Sequence, residues 1–282
     1  MPAPAGSGVV FIRTDLGGLS VPASHRFVQD SSLATTLARG RVTVATVEHL
    51  LAALHGLGVD NARIELDGPE VPILDGSALP FVQAIDAAGV VEQSAPRRDI
   101  FLQQPTTVRR GDRTILAVPS NEFRISYAID FPHPAIGYQA VTLCVDPKIF
   151  VSSIAPARTF CLLSDVQTMR ASGLARGGSL ENAVVVGDDG VMNGGLRFAD
   201  EFVRHKVLDL IGDLALLGAG LRAHVIVYKG GHQMHDALVQ RIMERRAGFT
   251  VDDAESRMPQ QLFERFAHLG DRLVPHPQVL TA

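Results

Sequence analysis

Between Asp200 and Leu217 the chain calls for a helix that is apolar on nearly every side and yet carries an ionisable stripe. Val203, Val207, Leu208, Leu210, Ile211, Leu214, Leu216 and Leu217 surround His205, Asp209 and Asp213, whose i, i+4, i+8 spacing lines them along one face. Such a helix belongs in an interior, with other elements packed around it. A desolvated imidazole and carboxylate need a partner there. One metal ion partners both at once; a buried His–Asp hydrogen bond is the plainer alternative.

A second segment, Thr46-Val47-Glu48-His49, completes the chemistry. Thr46 is the expected N-cap of a helix running through Leu57 and closed by Gly56 or Gly58. A charged pair in a first helical turn is ordinarily a solvated end, but a helix N-terminus also disfavours protonated imidazole and keeps His49 neutral. His49 can then join His205 and Asp209 as a third ligand, with Glu48 beside it as general base. Two His, one carboxylate and an open position make a catalytic zinc that activates water. The same set makes the facial triad of a non-haem iron enzyme. The chain has no His-Glu-x-x-His, so it carries no common metalloprotease helix. His232 follows Lys229-Gly230-Gly231 just past a strand end, where a His is most simply exposed. Gly177-Gly178-Ser179 and Gly194-Gly195 match neither a phosphate-binding loop nor a dinucleotide fingerprint and read as turns.

At 282 residues, 46% hydrophobic and 20% charged, the chain suits a globular protein with ample core. A net charge of −4 without a Lys/Arg block gives no reason to expect a nucleic-acid partner. Cys144 and Cys161 form no close-spaced pair, the start carries no basic-apolar leader, and no uncharged run approaches the ~20 residues of a membrane span. A cytoplasmic protein is expected.

Strand patterns recur at Ala62–Leu66, Ile100–Leu102, Thr114–Val118, Phe123–Ile129 and His224–Tyr228, with a hairpin over Ala183–Val191. Further helices are expected over Ala78–Ala88, Asp165–Ser172, Ala237–Arg245 and Pro259–Leu269. Gly56-Leu57-Gly58 before the strand at Ile64 echoes Gly218-Ala219-Gly220 before the strand at Val225. In both places a helix carrying a candidate ligand runs through a Gly-x-Gly stop into a strand. We therefore expect an α+β protein of two domains of similar topology, residues 1–95 and 96–282, each a sheet layered against helices, with the site between them. The linker-like stretch Ser94–Asp99 marks the boundary.

The ordered set Thr46-Val47-Glu48-His49-Leu50, Pro72-Ile73-Leu74-Asp75-Gly76-Ser77, Ala157-Arg158-Thr159-Phe160, Leu196-Arg197-Phe198, Asp200–Lys206, Asp209, Gly212-Asp213 and Gly231-His232 closely resembles the UDP-3-O-acyl-N-acetylglucosamine deacetylases, zinc amidases of lipid A synthesis. The likeness covers nearly the whole chain. It implies zinc on His49, His205 and Asp209, an ion that Fe2+ can replace on this ligand set, with Glu48 as base. It implies His232 as the protonated acid, oriented by Asp213. Lys206 and Thr159 would stabilise the oxyanion and Phe160 would pack on the sugar. A βαβ insert over about residues 161–189 would pass the acyl chain, with Leu163, Val166, Gly178 and Val185 lining it. The UDP-linked, acylated amino sugar is the implied partner, and its acyl tail implies transient contact with the membrane surface. No heptad or apolar stripe demands a dimer, so a monomer is expected.

The family opens with two further strands and a Gly-x-Gly-Leu-His segment, whereas this chain opens at Pro2-Ala3-Pro4-Ala5. The first domain is accordingly expected to lack strands from its sheet, which leaves room for a metal-binding but catalytically impaired homologue. Glu48, Asp213 and His232 together argue for hydrolysis over that alternative and over an iron enzyme, because neither needs an acid and a base beside the metal.

Overall fold

A computed structural model of the chain describes residues 1–166, 177–192 and 194–245, and the backbone of Phe249–Asp253. The architecture mixes helices with several sheets. The chain enters through β1 (Val9–Arg13), β2 (Leu19–Pro22), β3 (Val28–Asp30), β4 (Thr36–Arg39) and β5 (Val42–Val44). Helix α1 (Glu48–Gly56), β6 (Ala62–Leu66) and helix α2 (Leu79–Ala88) follow. Then come β7 (Arg98–Leu102), β8 (Thr106–Arg110), β9 (Arg113–Pro119), β10 (Phe123–Asp130) and β11 (Tyr138–Cys144). The small strands β12 (Phe160–Leu162), β13 (Val184–Gly187) and β14 (Gly190–Val191) precede helix α3 (Glu201–Leu214). Strand β15 (Gly220–Tyr228), helix α4 (His232–Glu244) and β16 (Phe249–Asp253) close the described chain.

The largest sheet is organised around β15. Its residues Ala223–Tyr228 run parallel to β10 on one side and antiparallel to β9 on the other, while Gly220–Arg222 pair with β7. Such a strand is covered on both faces, so its run from Ala223 to Val227 is buried throughout and apolar but for His224. Helix α3 lies across β10 and β11, α4 across β8 and β9, and α1 packs on α3 from the far side. Among the described residues no helix is long and apolar enough to cross a membrane.

The sequence echo extends to the pairing. β1 pairs antiparallel with β2 and parallel with β6, the strand after α1. β10 pairs antiparallel with β11 and parallel with β15, the strand after α3. Gly58 (φ 74°) and Gly218 (φ 73°) end the two helical segments in the same left-handed conformation, which only glycine adopts cheaply.

The expected helix forms as α1, Glu48–Gly56, but Thr46 is not its N-cap. Ala45 is bridged to Glu70, which carries Thr46 into a left-handed φ of 57°. Its hydroxyl donates to Glu70 at 2.7 Å, and Val47 takes the capping position without a side-chain bond. The expected helix over Asp165–Ser172 falls largely outside the described residues, and the one over Pro259–Leu269 wholly so. β12 and β13 run parallel, as a βαβ crossover requires, and β13 turns back into β14 as the expected hairpin.

Candidate metal centre and its acid–base flank

Helix α3 supplies most of the site because it is buried almost all round. Phe202, Val203, Val207, Leu208, Leu210, Ile211 and Leu214 are all buried. Each contributes roughly 1.5–3 kcal/mol on leaving water, enough together to hold three ionisable groups inside. Gly212 brings α1 onto this helix: a Cβ there would stand 2.0 Å from the Glu48 carbonyl oxygen. The close approach delivers Glu48 and His49 to the stripe on α3. Both are buried, not solvated as a first-turn charged pair ordinarily is.

His49, His205 and Asp209 converge, with one ligand atom from each within 4.8 Å of the others. Asp209 Oδ1 lies 3.2 Å from His205 Nε2 and 3.6 Å from His49 Nε2. His205 Nδ1 is 3.1 Å from the Ala157 carbonyl oxygen, an acceptor, so Nδ1 carries the ring proton and donates it. Burial disfavours a charged ring and lowers the His205 pKa. In that neutral form Nε2 turns a lone pair towards a carboxylate oxygen that is buried and has no hydrogen-bond partner of its own. Two acceptors facing each other in a dry site conflict, and a cation between them removes the conflict. The residues therefore fit a metal with N2O ligation.

The flanking groups are held from several elements. Glu48 Oε2 accepts the Thr35 backbone N–H at 3.0 Å, and burial raises its pKa against the opposing pull of His232 and His49. Lys206 Nζ donates to Asp209 Oδ2 at 2.8 Å and stands 5.4 Å from the centre of the Phe160 ring. Burial opposes ionisation of Asp209, but the positive charges of Lys206 and His232 hold it well below the usual carboxylate range. His232 Nδ1 donates to Asp213 Oδ2 at 2.8 Å, and its Nε2 is 3.8 Å from Asp209 Oδ2. Burial opposes the His232 charge too, yet Asp213 and Asp209 push its pKa up to about 10.

The expected site residues thus fall into two groups. Glu48, His49, Lys206, His205, Asp209, Asp213 and His232 are brought together. Phe160 joins them by its ring, edge-on to His205 at 6.4 Å and to Phe202 at 4.8 Å. Thr159 is fixed by backbone, donating to Gly76 and accepting from Val184. Val185 is buried on β13, Val166 is half-buried, and Leu163 and Gly178 are exposed on the connection between β12 and β13.

Sequence reasoning missed three members. Thr35 donates its hydroxyl to Asp213 Oδ1 at 2.5 Å. His235 reaches Asp213 Oδ2 through Nδ1 at 2.8 Å, and Tyr127 reaches His235 Nε2 at 3.1 Å. Only His235 left a trace in the sequence, at i+3 from His232 on an otherwise amphipathic helix.

The family profile described as UDP-3-O-acyl N-acetylglycosamine deacetylase matches residues 1–244. A UDP-3-O-acyl-N-acetylglucosamine deacetylase of Myxococcus xanthus is 48% identical over 280 residues, 99% of this chain and 89% of the relative. The enzyme of that name from Anaeromyxobacter dehalogenans is 47% identical over 251 residues, 89% of this chain and 81% of the relative. That of Acidithiobacillus ferrooxidans is 47% identical over 263 residues, 92% of this chain and 86% of the relative. A match over most of the chain, at this identity and around this ligand cluster, means that the chain belongs to the UDP-3-O-acyl-N-acetylglucosamine deacetylase family.

Proposed function

We propose that this protein hydrolyses the N-acetyl amide of UDP-3-O-acyl-N-acetylglucosamine, releasing acetate, as a step of lipid A biosynthesis. The observation that carries the reading is the partnerless Asp209 Oδ1 facing two imidazole nitrogens, with a carboxylate and a charged imidazole beside it in a member of this family. His49, His205 and Asp209 would hold zinc, and the same ligands accept Fe2+. When bound, the ion supplies a Lewis acid and brings the pKa of a water on it towards ~7.

The chain's own groups do the rest. Glu48, made a better base by burial, takes a proton from the attacking water as its oxygen joins the acetyl carbon. Lys206 and Thr159 donate to the oxygen on which negative charge develops. As the carbon–nitrogen bond breaks, His232 gives its proton to the departing amine, and Asp213 keeps that ring charged and oriented. Phe160 offers a ring face to the sugar. Leu163, Val166, Gly178 and Val185 form the way for the acyl chain. Solvent-exposed Leu163, Leu180 and Met192 around β12–β14 give that region an apolar surface suited to it.

We read the chain as two domains of similar topology, residues 1–95 and 96–282, on the strength of the repeated pairing and the matching glycine stops. One chain carries every group named, so the working unit is a cytoplasmic monomer that touches the membrane surface only through its substrate's tail. The test is metal content and deacetylase activity of the purified protein beside Glu48→Ala. The reading expects one metal per chain in both and turnover only in the parent. A parent that binds no metal returns His205 and Asp209 to a buried structural pair.

A further inference from the structure

Asp213 receives more donors than orienting one histidine requires. Oδ1 accepts from the Thr35 hydroxyl, and Oδ2 accepts from both His232 Nδ1 and His235 Nδ1, each at 2.8 Å. The two rings sit one turn apart on α4, 5.9 Å between centres and 77° between planes. They differ in what lies beyond. His232 Nε2 points towards Asp209 and the metal ligands. His235 is fully buried, and its Nε2 lies 3.1 Å from the hydroxyl of Tyr127, itself fully buried on β10.

The protons on this chain of groups can be assigned. An ionised carboxylate only accepts, so His235 must carry a proton on Nδ1. Tyr127 has its hydroxyl proton to give, and a neutral His235 has a free lone pair on Nε2 to take it. The run Tyr127 O–H to Nε2, then Nδ1–H to Asp213, satisfies each member with a neutral ring. Gly230 holds the geometry: a Cβ there would stand 2.6 Å from the Tyr127 hydroxyl oxygen, so the loop into α4 lies directly on Tyr127. The start of α4, which carries His232, is thereby pinned to the sheet through Tyr127 and to α3 through Asp213.

We propose that His235, as a neutral imidazole protonated at Nδ1, is a positioning residue for the hydrolysis: with Thr35 on the other oxygen it fixes the plane of the Asp213 carboxylate, and so the direction in which His232 is aimed. A carboxylate with a single donor can turn about its terminal bond; donors on both oxygens from separate elements stop it. The inference rests on the function proposed above, because the aim of His232 matters only if that ring delivers a proton.

The test compares His235→Asn, His235→Gln and His235→Leu in the metal-loaded full chain. Asn places its amide N–H near the position of Nδ1, Gln places it near Nε2, and Leu has neither. The expected result is a kcat loss of ~10–100-fold in Leu and Gln with KM little changed, and substantial recovery in Asn. Metal content and Tm, measured on each variant, separate positioning from misfolding. Independently of activity, 15N NMR of the parent should show His235 neutral with its proton on Nδ1. Equal kcat in Asn and Leu at equal metal content, or a proton found on Nε2, overturns the assignment. A parent that is metal-loaded but inactive overturns the proposed function, and the role of His235 with it. An active parent with three equally active variants overturns the role alone.

Discussion

Glu48 and His232 are both shifted upwards, for different reasons. Burial lifts Glu48 above its ordinary value, and the Asp213 and Asp209 carboxylates lift His232 to about 10. The proposed mechanism needs Glu48 ionised and His232 charged, so the rate is expected to rise with pH through the first pKa and to fall through the second. A cation on Asp209 cancels part of that carboxylate's pull, which brings the alkaline limb of the loaded enzyme below 10. Asp213→Asn removes the other carboxylate, lowers the His232 pKa further, and is expected to move the alkaline limb to lower pH. A pH–rate profile checks both statements, and an alkaline limb unmoved by Asp213→Asn would separate it from His232. Glu48→Gln keeps the shape but not the basicity, and should cost ~100-fold or more in kcat with metal retained.

Among the elements, the contact between α1 and α3 is the most exacting. Gly212→Ala would drive a methyl group into the Glu48 carbonyl, and the two helices must separate to admit it. Overpacking of this kind costs about 1–3 kcal/mol. Here it also moves His49 and Glu48 away from Asp209, so we expect a lower Tm together with weaker metal retention. Calorimetry and metal analysis on the same sample check this, and a variant that loses stability but keeps full metal affinity would uncouple the contact from the site. The helices were legible in the sequence because their periodicity and their Gly-x-Gly stops are local signals. Thr46 departs from its expected capping role because it follows the bridge between Ala45 and Glu70, a contact that no local signal announces.

For the molecule as a whole, the ligand cluster is a point of electrostatic conflict that a cation relieves. Stripping the metal with a chelator should abolish activity and lower Tm, and adding Zn2+ back should restore both. Mass action sets the scale, about 2.7 kcal/mol when free metal exceeds its Kd 100-fold. A Tm indifferent to metal would place the binding energy somewhere other than Asp209. The proposed ligands and acid–base pair are legible in the sequence because His205 and Asp209 share one helix face and Glu48, His49 and His232 sit in short motifs. Thr35 and Tyr127 could not, because they lie 178 and 108 residues from their partners Asp213 and His235, and only the packed fold brings them together.

Glu201, at the head of α3, has a further consequence. Its carboxylate accepts the backbone N–H and guanidinium of Arg158 and, at 2.6 Å, the backbone N–H of Arg197, while Arg158 also reaches the Gly195 carbonyl oxygen. The chain therefore leaves for the β12–β14 sheet and returns from it through a single clasp, one helical turn from His205. The clasp fixes both roots of the intervening segment to the helix that carries His205 and Asp209, and Phe160, just inside the first root, is where that segment touches the ligands. On the function proposed above, which gives the acyl tail to this segment, the part beyond Phe160 would be exchangeable as a cartridge while the clasp and the ligand helix keep their places.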